Sequence, residues 1–253
     1  MKKWISVLLC LALFFMCVVP CFAENTIGPS GALPPTEEEL AEAEATFNPD
    51  VLSLDWTDNT RAATWYGMTM TYYAQLQSMS CGPACTRMVL KYVTGIGYSE
   101  ATIRNGMVYS ETSGTTLGAL TNYIKDKSDR YYTNYYGTSQ AYIMSGMMSS
   151  IRNYDSPPIV GLKSSQAYGF PVTGSGGHFI VINGITSDLD TVKVLDPWSG
   201  YSGNGYNGSL PANYQITANN LMNAYNSLSV RAGVGMQLSQ SELIPSKVNE
   251  NTI

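Results

Sequence analysis

The hydrophobic period of this chain changes once, near Pro158, and that change limits the folds open to it. Before it, Pro83 to Tyr92 places Ala84, Met88 and Tyr92 on one helical face, and residues 117–124 and 141–151 repeat the same spacing. After it come three short β-branched runs, Pro158-Ile-Val-Gly-Leu-Lys163, His178-Phe-Ile-Val-Ile-Asn183 and Thr191-Val-Lys-Val-Leu195, separated by Gly, Ser and Asp turns. They read as adjacent strands of one sheet. Helices first and an antiparallel sheet second predict an α+β fold. No internal repeat interrupts this order.

The start of the chain has the order of a secretory signal peptide. Met-Lys-Lys leads into an apolar stretch from Trp4 to Pro20, then Cys21-Phe22-Ala23 before Glu24, with cleavage expected after Ala23. A lipid anchor on Cys17 or Cys21 fits poorly, because Met16 and Pro20 stand where a small residue is wanted. No second apolar run approaches the ~20 residues of a membrane span, so the expected mature chain is secreted or extracytoplasmic, without stable membrane insertion. Residues 24–55 read as an acidic linker or arm: ENTIGPSGALPP is rich in Pro and Gly, and Thr36 with Glu39 forms a capping box for a solvated acidic helix. Residues 56–238 form the expected domain, and 239–253 a tail.

Charge excludes one class of partner. Residues 24–50 hold seven acids and no base, whereas from residue 51 onward acids and bases balance at 12 each. A neutral domain with no basic stripe gives no electrostatic reason to expect nucleic acid. Three of the five cysteines, Cys10, Cys17 and Cys21, lie in the expected signal segment. Cys81 and Cys85 stand four apart in one helical pattern, where a bridge would oppose disulfide geometry. The two thiols need another explanation.

The chain has a single histidine, His178. A lone histidine is commonly a satisfied core residue. A cysteine nucleophile, however, needs only one imidazole as base. Gly174-Ser-Gly-Gly177 before it allows close backbone approach, and Asp196, eighteen residues on in Asp196-Pro197-Trp198, ends the next strand pattern, where a hairpin partner could set its carboxylate beside the ring. Asp188 and Asp190 compete for that role, but turn signalling over Thr186 to Asp190 accounts for them. Cys81 begins the helix of Cys81-Gly82-Pro83-Ala84, where the positive helix end and an imidazolium favour its thiolate. Gly82 leaves room for substrate backbone, and Pro83 suits a first helical turn. Gln75, six residues upstream, is a candidate oxyanion donor, with Gln77 its rival by proximity.

These motifs in this order, with Gly114-Thr115-Thr116 before a helix, resemble the papain-fold cysteine peptidases related to the bacteriocin-processing, double-glycine leader peptidases. The similarity runs from about Tyr72 to about Tyr225 and is nearest to stand-alone exported relatives, since the exporter-linked members carry a membrane domain and an ATPase that this sequence lacks. The resemblance implies a nucleophile at a helix start packed on an antiparallel sheet that carries His and Asp. It implies Cys81 as nucleophile, His178 as base, Asp196 as orienter and Gln75 as oxyanion donor. The implied activity is hydrolysis of peptide bonds through a thioester, with a peptide or protein substrate, no cofactor and no metal. Three other readings compete. One is a silent peptide- or glycan-binding module on the same fold, and another a phytochelatin-synthase-like acyl transferase. The third is a zinc site of Cys81, Cys85, His178 and Asp196, for which Cys-Gly-Pro-Ala-Cys across a helix start is an awkward chelate.

Overall fold

The computed structural model describes residues 31–46, 62–205, 210–228 and 233–238. The expected signal segment 1–23 with Cys10, Cys17 and Cys21, the parts 24–30 and 47–55 of the arm, and the tail 239–253 lie outside the described residues. The order is α1 (Glu37–Thr46), β1 (Trp65–Gly67), α2 (Cys81–Thr94), α3 (Glu100–Gly106), α4 (Leu117–Lys127), β2 (Tyr132–Tyr135), α5 (Gln140–Tyr154), β3 (Ile159–Leu162), β4 (His178–Thr186), β5 (Thr191–Leu195), β6 (Asn213–Thr217), α6 (Ala218–Asn226) and β7 (Val234–Gln237). The strands form one antiparallel sheet in the order β2-β7-β3-β4-β5-β6, and β1 pairs with the far end of β4. This is the α+β architecture expected from the change of period.

Strand β4 is the spine of the sheet, and all nine of its residues are buried. A strand buried on both faces reads as a continuous apolar run rather than an alternating one. Alternation survives in where the side chains go. Phe179 and Val181 join one core with Cys81, Cys85, Met88 and Leu120 from α2 and α4. Ile180 and Ile182 join the other with Met144, Met147 and Met148 of α5 and Leu221 of α6. A register shift between Ile182 and Gly184 reverses the alternation, so that Ile185 falls on the same side as Ile182. Helices therefore cover both faces, and the α2 face carries Cys81.

Hydroxyl caps explain most helix starts. Ser99, Thr116, Ser139 and Thr217 each accept a backbone N–H from the first turn of the helix that follows. In α1 the capping box forms as read: Thr36 N–H donates to Glu39 Oε2 and Glu39 N–H to Thr36 Oγ1, both at 3.1 Å. Helix α1 is docked, however, not solvated. Ala43 is buried, and Leu40 packs against the α2-side core. Two small apolar contacts in an acidic helix are too weak a pattern to separate from a free arm.

Candidate active site

Helix α2 differs from its neighbours in starting without a side-chain cap: Ser80 makes none, its hydroxyl being engaged with Gln77 N–H and carbonyl, each at 3.0 Å. Cys81 is the first residue of this uncapped helix, at the positive end of its dipole. Cys81 and Cys85 are both unbridged and fully buried. They are not equivalent. Burial first, then the neighbouring Cys81 and the Asp196 carboxylate, push the Cys85 thiol well above its usual range, so it stays a protonated core residue.

His178 opens β4 and Asp196 follows the last residue of β5, its neighbour in the sheet. The hairpin brings His178 Nε2 to 2.8 Å from Asp196 Oδ1, with both side chains buried. Asp196 is held from three more directions. Trp198 N–H donates to the same Oδ1 at 2.9 Å, the Tyr214 hydroxyl donates to Oδ2 at 2.9 Å, and the Tyr72 hydroxyl donates to the backbone carbonyl at 3.0 Å. The carboxylate and its peptide are fixed before any substrate arrives.

The other ring nitrogen, Nδ1, is buried with no conventional hydrogen-bond partner. The Cys81 thiol acts on the same imidazole as a hydrogen-bonding group. With Nε2 engaged by Asp196, Nδ1 is the ring nitrogen not committed to the carboxylate. Burial alone would push the imidazole down, but the Asp196 carboxylate, by charge and hydrogen bond, and then the Cys81 thiol outweigh it and hold His178 up at about 9. Asp188 stays in its turn, its carboxylate accepting the Asp190 N–H at 3.1 Å.

Gln75 reaches the same neighbourhood from the loop before α2. Its backbone N–H donates to the Pro197 carbonyl at 3.0 Å, tying this loop to the one after Asp196. Its side chain is buried, with Nε2 donating to the carbonyls of Gln77 at 2.7 Å and Ser78 at 3.0 Å, while Oε1 has no partner. The amide hydrogens are thus spent on the loop in this state. Gln77 turns toward α3, its Oε1 accepting from Arg104 at 2.8 Å and Tyr109 at 3.2 Å.

Two supporting residues were not singled out from the sequence. Glu100 is buried at the start of α3 and accepts the Leu76 N–H on both carboxylate oxygens, at 3.3 and 3.1 Å, bracing the loop that delivers Cys81. Tyr214 is the other. An acid in a helix first turn and one tyrosine among 18 are each ordinary, so neither carried a signal. Gly82, read as space for substrate backbone, faces inward instead: a Cβ there would lie 2.6 Å from Thr115 Cγ2, 2.9 Å from Leu120 and 3.4 Å from Phe179. It sets how closely α2 approaches Thr115 and α4, with the Phe179 ring of β4 at ordinary contact distance. Among the described residues no group of three or more His, Cys, Asp or Glu is arranged to hold a metal ion, and no helix is long and apolar enough to cross a membrane.

Comparison with known proteins adds a lineage. No curated protein matches the chain. Among solved structures, xylellain, a cysteine protease from Xylella fastidiosa, is similar with a TM-score of 0.49 at 11% identity, covering 85% of this chain and 98% of that one. A family model described as "Peptidase_C39 like family" matches residues 68–230, a span that includes Gln75, Cys81, His178 and Asp196. With well over half of its length matched, the chain belongs to the Peptidase_C39 like family and is by that membership a cysteine peptidase.

Proposed function

We propose that this peptidase is exported and hydrolyses peptide bonds with Cys81 as nucleophile, His178 as general base and acid, and Asp196 as orienter. The observation that carries the reading is the buried imidazole with Nε2 at 2.8 Å from a carboxylate and the Cys81 thiol as the group acting on it besides. In this scheme Nδ1 takes the thiol proton, the sulfur attacks the scissile carbonyl carbon, and the tetrahedral oxyanion forms beside the first turn of α2. The imidazolium protonates the departing amine, leaving a thioester. His178 then deprotonates a water, which adds to the thioester carbonyl, and the thiol leaves with its proton restored. Asp196 holds the tautomer and stabilises the imidazolium throughout. Export rests on the signal-like order of residues 1–23.

The direct test is competition between the two thiols. Alkylation at about pH 6 followed by peptide mapping should label Cys81 and leave Cys85, because a thiolate paired with an imidazolium reacts where an ordinary buried thiol does not. Equal, slow labelling of both even when Cys81 is accessible would remove Cys81 as nucleophile, and fast labelling with no turnover on any peptide would favour the silent binding module.

Gln75 is the proposed oxyanion donor, its amide turning from the carbonyls of Gln77 and Ser78 to the developing charge. Gln75→Ala should lower kcat on the order of 10²-fold with little change in Cys81 alkylation, as expected for a donor used only in the transition state. Gln77→Ala should have a much smaller effect, and the reverse ranking would assign the donor to Gln77.

A further inference from the structure

The site is fully covered, and the cover belongs to the same chain. Residues 31–33 lie between two stretches of backbone that flank the candidate catalytic residues. On one side Ala32 N–H donates to the Gly177 carbonyl at 3.0 Å, one residue before His178. On the other, Leu33 N–H donates to the Thr115 carbonyl at 2.7 Å and Thr115 N–H to the Gly31 carbonyl at 2.8 Å. Ala32 thus forms an antiparallel bridge with Gly177 and a parallel one with Thr115. Thr115 is in turn the residue that a side chain on Gly82, next to Cys81, would meet first. The segment is a third strand laid between the base's flank and the nucleophile's flank.

Its fit depends on missing side chains. Gly31 is buried at φ +121, and a Cβ there would collide with the backbone carbonyl of Met79, two residues before Cys81. A Cβ on Gly114 would strike Gly31, and one on Gly177 would strike the Ala32 carbonyl. Ala32 packs against the core cluster that contains Cys81. A second attachment holds the strand in register: Glu39 of α1 accepts a hydrogen bond from the Thr116 hydroxyl and covers Gly118 at the start of α4. Cys81 and His178 have 0% exposure beneath this arrangement.

We propose that residues 31–33 are a resident occupant of the substrate groove: an autoinhibitory strand, anchored by α1, that peptide substrates must displace in order to pair with Gly177 and Thr115 in its place. The inference rests on the reading of Cys81 as nucleophile. It makes the substrate an extended peptide recognised first through its main chain, in the manner of strand addition.

The test uses the full chain and iodoacetamide. Ala32→Pro deletes the amide bonded to Gly177, and Glu39→Ala releases the anchor without touching the groove. Each should speed Cys81 alkylation at about pH 6 by at least about tenfold while Cys85 stays protected, since labelling follows access to the thiolate. A synthetic peptide of residues 24–36 should slow the labelling of Ala32→Pro again, and the same peptide carrying Gly31→Val should not. Unchanged labelling in both variants, or no effect of the peptide, overturns the proposal. Should a variant label both cysteines together, the domain itself has opened and amide exchange in the unsubstituted chain decides: protected amides at Ala32, Leu33 and Thr115 support the strand, and exchange at free-chain rates overturns it. Variants that expose Cys81 yet label it only at alkaline pH would keep the strand and sink the thiolate–imidazolium reading.

Discussion

His178→Ala abolishes peptide hydrolysis, with kcat/KM falling by roughly 10⁴-fold or more, because the loss removes both proton transfers of the proposed scheme at once. The chain holds no second imidazole to take over. The substitution also removes the cation beside the sulfur, so alkylation of Cys81 at mildly acidic pH slows to the rate of an ordinary thiol. Hydrolysis of a fluorogenic peptide library and mapped alkylation of the same sample check the two effects together. Turnover within about tenfold of the parent chain would place the base elsewhere.

Asp196→Ala should cost nearly as much, on the order of 10²- to 10⁴-fold in kcat, and should also lower Tm. Three buried donors lose their acceptor in that variant: His178 Nε2, Trp198 N–H and the Tyr214 hydroxyl. Asp196→Asn separates charge from geometry, since an amide oxygen can still accept from Nε2 and Trp198. Without the carboxylate, burial is less opposed and the imidazole pKa falls from about 9. The sign for stability follows. In the parent chain the folded imidazole holds its proton above the ordinary 6.5, so the stabilisation from that proton is complete below pH 6.5 and is lost as pH rises through about 9. Tm measured from pH 6 to pH 10 should fall across that window, and in Asp196→Asn the fall should be smaller and lie at lower pH. A parent chain whose Tm is flat there, with the variant unchanged, would remove the charge coupling between the two side chains.

The parts of this architecture that were legible in the sequence are those specified locally. Helix α2 announces itself through Cys81-Gly82-Pro83 and the spacing of its apolar residues, and β3, β4 and β5 through β-branched runs between turns. His178 and Asp196 could be paired because a hairpin relates them by short-range pattern. The rest depends on partners far away in the chain. Strand β2 pairs with β7, Tyr132 with Gln237 at one end, and neither YTNY nor VGMQ has an alternation that demands a sheet. Strand β6 is recognisable only once β5 supplies its ladder from Thr191–Thr217 to Leu195–Asn213. Likewise, which way the Gln75 amide turns is decided by the carbonyls of Gln77 and Ser78, and what Gly82 makes room for by Thr115, Leu120 and Phe179. Spacing along the chain carries none of these.

Gly82 has a consequence for how such a site tolerates change. The separation of His178 from Asp196 is internal to one hairpin and is gauged by ladder hydrogen bonds that side-chain substitutions leave intact. The separation of Cys81 from His178 has no such gauge. It spans the core cluster shared by α2, α4 and β4 and is set by the side chains that fill it, with Thr115, Leu120 and Phe179 all meeting α2 at Gly82. Cores yield to altered volume by shifting whole helices. In this protein such a shift detunes a reacting distance, and misplacement by about an ångström can cost on the order of 10²-fold in rate. Substitutions at Leu120 or Phe179 that the fold absorbs at little cost in stability should therefore register as losses of turnover, which makes the packing behind Cys81 part of the rate.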